Sequence, residues 1–249
     1  MRFKLIACEV MYRELCHEAA RSPHTVDVEF LPKGLHDIGT AGMRERLQGV
    51  IDSVPSGSCD AILLGYGLCN NGTAGLEARG VPLVLPRAHD CITLFFGSRE
   101  RYLDYFKDNA GTYFLTTGWV ERGEATGELR QISVQRKSGM DMSYEELVER
   151  YGEDNARYLH ETLYDMTRHY STLAYIDMGV GPEREFEQVA RDRAQARGWR
   201  FLPLRGDMAL FRRLVRGEWD SGDFLVVEPG HRVVASLDAG IVAAEKIQP

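Results

Sequence analysis

Short apolar runs alternate with amphipathic stretches of helical spacing along most of the chain. The pattern predicts strands and helices in turn up to residue 115: strands at 3–8, 26–31, 61–65, 82–85 and 112–115, and helices at 11–21, 41–54 and 91–106. The order returns near residue 170, with strands at 173–176, 199–203 and 224–227 and helices at 183–197 and 208–215. Because a parallel strand pair needs a crossover, which a helix supplies, the pattern predicts an α/β fold.

The recurrence of this order predicts two Rossmann-like β-α-β halves with parallel sheets, one at 1–120 and one at 171–249. The polar segment between them alternates in a way that favours a hairpin, and Ser143 with Glu146 forms a capping box that opens a long helical stretch. We therefore expect an inserted hairpin plus a long helical connector at 121–170.

The composition is that of a folded globular protein, with 44% hydrophobic and 27% charged residues among 249. The formal net charge of −7 offers no basic surface for nucleic acid. The first apolar run is too short for a signal peptide or a membrane span. We expect a cytoplasmic protein without nucleic-acid or membrane partners.

All five cysteines lie in the first 91 residues, at Cys8, Cys16, Cys59, Cys69 and Cys91. An odd number in a reducing compartment argues against a disulfide framework. Each thiol is then a small core residue, a metal ligand or a nucleophile.

Potential ligands follow each of the first four predicted strands. In open parallel sheets, ligands bind beyond the carboxyl ends of the strands. Cys8 and Glu9 close the first strand, His36 and Asp37 follow the second, Cys69 follows the third, and His89 and Cys91 follow the fourth. Cys59 precedes its strand and Cys16 lies within a helix, so we interpret both as structural.

Three thiolates with a histidine are a ligand set that suits zinc, and three cysteines also suit an iron–sulfur cluster with one open position. We predict Cys8, Cys69, Cys91 and His89 as metal ligands, with His36 and Glu9 as catalytic residues. No CxxC pair is present, and the alternative is three buried thiols that lie near strand ends by chance.

A second hypothesis makes Cys91 the nucleophile of a metal-free enzyme. It would occupy the first turn of a helix capped by Asp90, where backbone N–H groups stabilise a thiolate. His36 would be its base, oriented by Glu9 or Asp37. This hypothesis ranks below metal binding because it leaves the other thiols unexplained.

Five further residues are candidates for binding a cofactor or substrate. Gly65 and Gly67 belong to a glycine-rich loop that would allow close backbone approach to a ligand. Arg87, beside a strand end, could clamp an anion. Asp177 and Glu228 follow strands of the second half and would face the metal across a cleft.

The segments LIACEVMYREL, FLPKGLHDIG, DAILLGYGLCNNGTAGL, PRAHDCITLFFGSRERYLDYF and GTYFLTTGWVE resemble those of domain of unknown function family 1638. The resemblance spans most of the chain, and the family's characteristic positions fall on Cys8, Glu9, His36, Cys69, His89, Asp90 and Cys91. It implies no assigned activity. Such proteins are similar in setting to partners of corrinoid-dependent methyl-transfer systems, which implies a context in one-carbon metabolism.

The sequence favours a metal-dependent enzyme, or an accessory protein of one, that acts on a small-molecule substrate. Thiolate-bound zinc lowers the pKa of a substrate thiol, so methyl transfer is a natural chemistry for it. A corrinoid protein or a methyltransferase is the expected partner, and a corrinoid is a further cofactor candidate. The alternative is a binding protein that delivers a metal, corrinoid or small anion without chemistry.

Overall fold

The computed structural model describes residues 1–69, 71–122, 144–158 and 169–248. Strands and helices alternate through these segments, and the two larger sheets are built around parallel strands. The predicted α/β class is confirmed. Within the described residues, no helix combines the length and apolar character needed to cross a membrane.

The first sheet has five strands in the order β2-β1-β3-β4-β8. Four are mutually parallel: β1 Arg2–Cys8, β2 Thr25–Leu31, β3 Ala61–Gly65 and β4 Leu83–Pro86. The fifth, β8 (Phe224–Val227), pairs antiparallel with β4. Every residue of β3 and β4 is buried, as expected for central strands covered on both faces.

The crossovers of this sheet are helical. A 3-10 turn at Glu9–Met11 leads into α1 (Tyr12–Ala19), and a second 3-10 turn at Lys33–Ile38 leads into α2 (Gly39–Ser53). The helix predicted at 91–106 is in fact two helices, α3 (Cys91–Phe96) and α4 (Arg99–Asp108). The chain breaks there because Gly97 has φ 76° and the Ser98 side chain caps the new helix.

The second sheet has three parallel strands, β5 (Thr112–Thr116), β6 (Thr172–Asp177) and β7 (Arg200–Arg205). Its helices are α5 (Thr117–Glu121) and α7 (Glu183–Ala196). Helix α8 (Ala209–Arg216) returns the chain to the first sheet, where its apolar side packs into the main core.

Two strands lie in the opposite sheet from the one that the sequence pattern suggested. β5 falls in the predicted first half but belongs to the second sheet, and β8 falls in the predicted second half but completes the first. Strand pairing shows which segments share a sheet and not which fold independently, so the boundaries at 120 and 171 stay predictions.

A C-terminal hairpin was not expected from the sequence. It consists of β9 (His231–Ala235) and β10 (Val242–Lys246), antiparallel to each other. Both strands are short and carry charged residues, which hid the strand pattern.

The predicted connector is described only in part. Its hairpin and the Ser143 cap lie outside the described residues. Helix α6 spans Tyr144–Tyr151 and stops before Gly152, which has φ 77°.

Helix α5 joins the two sheets at the carboxyl end of β1. Gly118 lies so close to the 3-10 turn after β1 that a Cβ there would overlap the carbonyl oxygen of Val10. On the same face, Arg13 donates two hydrogen bonds of 2.8 Å to the Glu121 carboxylate. The second sheet thus reaches the strand end that carries Cys8.

Gly118→Ala should destabilise the protein by about 3 kcal/mol, because backbone on both sides must move to admit the methyl group. Urea unfolding followed by circular dichroism would measure the loss. Gly49→Ala is the matched control: its Cβ meets open space on α2, so a gain of up to about 1 kcal/mol is expected. Equal stabilities for the two variants would contradict the close approach of α5.

Candidate functional site

The loops after β3 and β4 are paired with each other through their backbones. The Leu68 N–H donates to the Ala88 carbonyl at 2.7 Å, and the Cys69 N–H donates to the His89 carbonyl at 2.9 Å. A Cβ on Gly67 would lie 2.9 Å from both the Ala88 oxygen and the Asp90 nitrogen, so only glycine permits this approach. The pairing places Cys69 beside the start of α3 and therefore beside Cys91.

The loop after β3 contains two non-glycine residues with positive φ, and one of them is Cys69. Cys69 has φ 46° and Asn71 has φ 62°, in the left-handed region that non-glycine residues rarely adopt. The turn is held by a hydrogen bond from the Gly72 N–H to the Cys69 carbonyl at 2.9 Å. Such strained residues cluster at functional sites, where the surrounding structure maintains them.

Cys8 and His36 are in direct contact at the same edge. The Cys8 Sγ lies 3.8 Å from His36 Nε2. His36 reaches this position because the 3-10 turn at Lys33–Ile38 folds back over the end of β1, held by a 2.9 Å hydrogen bond from the Lys33 N–H to Glu9 Oε1. Burial lowers the pKa of His36, which favours the neutral ring that can bind a metal or accept a proton.

The three predicted cysteine ligands are buried, with Cys8 1% exposed and Cys69 and Cys91 each 6% exposed. Burial raises the pKa of Cys8 to about 12 and raises that of the other two thiols as well. A negative charge on Cys8 raises the pKa of both Cys69 and Cys91 further, and Cys69 does the same to Cys91. The charge on one thiolate therefore affects the ionisation of another, and ionisation of these thiols is unfavourable without a cation.

The three buried thiols lie at one edge of the sheet but do not form a coordination sphere. Among the described residues, no group of three or more His, Cys, Asp or Glu side chains is arranged to hold a metal ion directly. All five cysteines are free thiols, with no disulfide among them.

Three residues around the thiols were not singled out in the sequence. Lys33 is only 4% exposed, and its Nζ lies 5.2 Å from the ring centre of Trp119. Tyr66 is 1% exposed and directly follows β3. A buried lysine beside a strand end is a signal that sequence reasoning could have used, whereas Trp119 comes from the second sheet and only the tertiary structure places it here.

Glu9 and His89 both lie at the predicted edge of the sheet, where their contacts differ. Glu9 accepts the Lys33 backbone hydrogen bond, and its second oxygen lies 3.8 Å from Arg122, so it orients the turn that carries His36. The His89 side chain is exposed, and its backbone carbonyl makes the contact with Cys69. Whether either acts in catalysis or ligation stays a prediction.

The environment of Cys91 works against activation as a nucleophile. Asp90 caps α3 as predicted, accepting from the Thr93 N–H, and Tyr102 holds its other oxygen at 3.2 Å. However, burial and then the Asp90 charge raise the pKa of Cys91. The thiol is therefore protonated at neutral pH unless a cation binds it.

Gly65 and Arg87, two of the predicted cofactor-binding residues, have structural roles in the fold. A Cβ on Gly65 would lie 2.5 Å from that of Ala7, so this glycine allows β3 to pack beside β1. The Arg87 guanidinium donates to four carbonyls of C-terminal segments, those of Ser221, Phe224, Gly240 and Val242. It fastens the C-terminal segments to β4, and an anion clamp there stays a prediction.

The second-half candidates need a correction. Because β8 runs antiparallel to β4, Glu228 lies at the edge of the sheet opposite the cysteines, exposed in the turn before β9. It cannot face them, and the prediction was wrong because it assumed a parallel strand. Asp177 does end a parallel strand, but its carboxylate accepts from the Gly179 N–H at 2.7 Å and pairs with Arg205 at 2.7 Å.

Fold and site together define an α/β protein with a buried cysteine cluster at the carboxyl edge of a parallel sheet. The chain belongs to the family described as protein of unknown function (DUF1638), whose model matches residues 30–215. His36, Cys69 and Cys91 fall within the matched segment, and Cys8 precedes it. No curated protein and no solved structure matches the chain.

Burial of the three cluster thiols predicts a split in thiol reactivity. In metal-free native protein, Cys16 and Cys59 are half-buried and should react with a disulfide reagent at least about ten times faster than Cys8, Cys69 and Cys91. Stopped-flow absorbance would measure the phases, and the double variant Cys16→Ser, Cys59→Ser should lose the fast one. A fast phase that disappears in Cys91→Ser instead would favour the nucleophile hypothesis.

Proposed function

We propose that this protein binds zinc or an iron–sulfur cluster through Cys8, Cys69 and Cys91, and that it acts as an enzyme or an accessory protein in methyl or other one-carbon transfer. The observation that carries the proposal is the convergence of three buried thiols from three adjacent parallel strands onto one edge. A half-buried histidine, His36, in contact with the Cys8 sulfur supports it.

The residues present fit a soft or borderline metal. Thiolate is the ligand that zinc and iron–sulfur clusters prefer, and metal binding supplies the positive charge that three buried thiolates need. Neutral His36, beside Cys8, is suited to be a fourth ligand or a base. The absence of a complete ligand set in the described residues means that ligation requires the sulfurs to approach one another.

Within such a site, the surrounding residues would position the ligands and exclude water. The paired loops after β3 and β4 would hold Cys69 and Cys91 in register, and Glu9 would keep His36 against Cys8. The overlying α5 would exclude water. A thiolate-bound metal would supply Lewis acidity toward a substrate thiol, which is the chemistry that favours methyl transfer and a corrinoid-carrying partner.

A non-catalytic binding or delivery protein is the alternative. A carrier needs an exit path and a catalyst needs an open coordination position. The strained turn at Cys69 is compatible with either role, since it could move for release or for ligation.

Protein purified anaerobically without a metal-binding tag should contain about one zinc, or about three to four iron, per chain. Cys8→Ser, Cys69→Ser and Cys91→Ser should each lose most of that metal, because each removes one of three thiolates. Elemental analysis with an absorption spectrum would measure content and identity.

Cys59→Ser is the matched control, since Cys59 lies at the opposite edge of the sheet and its loss should leave the metal content unchanged. Metal-free wild-type protein, or metal that survives all three substitutions, would overturn the proposal.

A further inference from the structure

Two buried hydrogen-bond donors lie near the three thiols and complete no hydrogen bond within the described residues. Within the described residues, the Tyr66 hydroxyl and the Trp119 indole N–H are both buried without a hydrogen-bond partner. An unpartnered buried donor is costly, and native proteins keep few of them. Two such donors beside the same thiols suit an acceptor stronger than a thiol, such as a charged sulfur.

Both donors lie against the thiols. The Tyr66 ring lies tilted at 47° to the His36 ring, with ring centres 6.5 Å apart, and His36 touches the Cys8 sulfur. Burial raises the pKa of Tyr66, and charges on Cys8 and then on Cys69 add to the effect, in agreement with the position that these ring and sulfur contacts give the phenol. The Trp119 N–H is directed at Cys91, where it would stabilise a thiolate without completing a hydrogen bond to the thiol.

A protonated thiol is a weak acceptor, whereas a metal-bound thiolate is a good one. Resting on the proposed function, we infer that Tyr66 and Trp119 are positioning residues that donate hydrogen bonds to the metal-bound sulfurs, Tyr66 to Cys8 or Cys69 and Trp119 to Cys91. Tyr66 follows β3 of the first sheet, whereas Trp119 lies on α5, which follows β5 of the second sheet.

Hydrogen bonds to coordinating sulfur tune a metal centre in two measurable ways. They lower the energy of the sulfur lone pairs, so their removal moves sulfur-to-metal charge-transfer absorption to longer wavelength. They also strengthen ligation, and loss of such outer contacts typically weakens metal binding about 10–100-fold.

Metal-free protein loaded with Co²⁺ is the probe. Tyr66→Phe and Trp119→Phe should each shift the sulfur-to-cobalt band to longer wavelength at saturating Co²⁺ and lower its affinity about 10-fold or more in chelator competition. Tyr105→Phe is the matched control: its hydroxyl contacts Thr112 at 3.3 Å, on another element, so its spectrum should equal that of the wild type.

A second readout separates this role from a merely structural one. In metal-free protein, Tyr66→Phe should leave the unfolding midpoint unchanged or raise it, because it removes an unpartnered hydroxyl; in Co²⁺-loaded protein the same substitution should lower the midpoint. Equal midpoint shifts in the two states, or an unshifted band in both variants, would overturn this inference alone. Wild-type protein that binds neither Co²⁺ nor an iron–sulfur cluster would instead overturn the proposed function.

Discussion

The candidate site depends on two backbone hydrogen bonds that join the loop after β3 to the loop after β4. They bring Cys69 alongside the first turn of α3 and so make neighbours of two cysteines 22 positions apart in the sequence. These two hydrogen bonds require glycine at position 67, since any side chain there would meet the backbone of the opposite loop. Without this pairing, parallel strands would still end at one edge, but their thiols would not share a common environment.

Because the three thiols are buried at the same edge of the core, ionising more than one of them is electrostatically unfavourable. Three thiols lie where water is nearly excluded, and a charge on Cys8 would raise the pKa of both Cys69 and Cys91, as a charge on Cys69 would raise that of Cys91. Core-filling thiols need no such neighbourhood of polar rings, a buried lysine and a left-handed cysteine, all of which have a cost in stability. These features are the physical basis on which the metal site is proposed.

The sequence predicted the first sheet well because its apolar runs are short, β-branched or leucine-rich and separated by helical spacing. That pattern was enough to place Cys8, Cys69 and Cys91 at one edge and Cys59 at the other. The sequence could not show that β8 runs antiparallel, because the direction of a strand depends on the path of the connection that precedes it. Glu228 was misplaced for that reason. Nor could the pattern of positions 91–106 reveal the break at Gly97, since a single glycine is compatible with a continuous helix.

The local sequence pattern could not predict that a helix of the second sheet contributes a residue to the candidate site. Helix α5 follows β5, yet it crosses the end of β1 and brings Trp119 to Cys91 and Lys33. Its fit depends on Gly118 against Val10 and on the Arg13–Glu121 pair, contacts between residues about a hundred positions apart. Because α5 continues from β5, the second sheet supplies part of the surroundings of Cys8 and Cys91 through this one short helix.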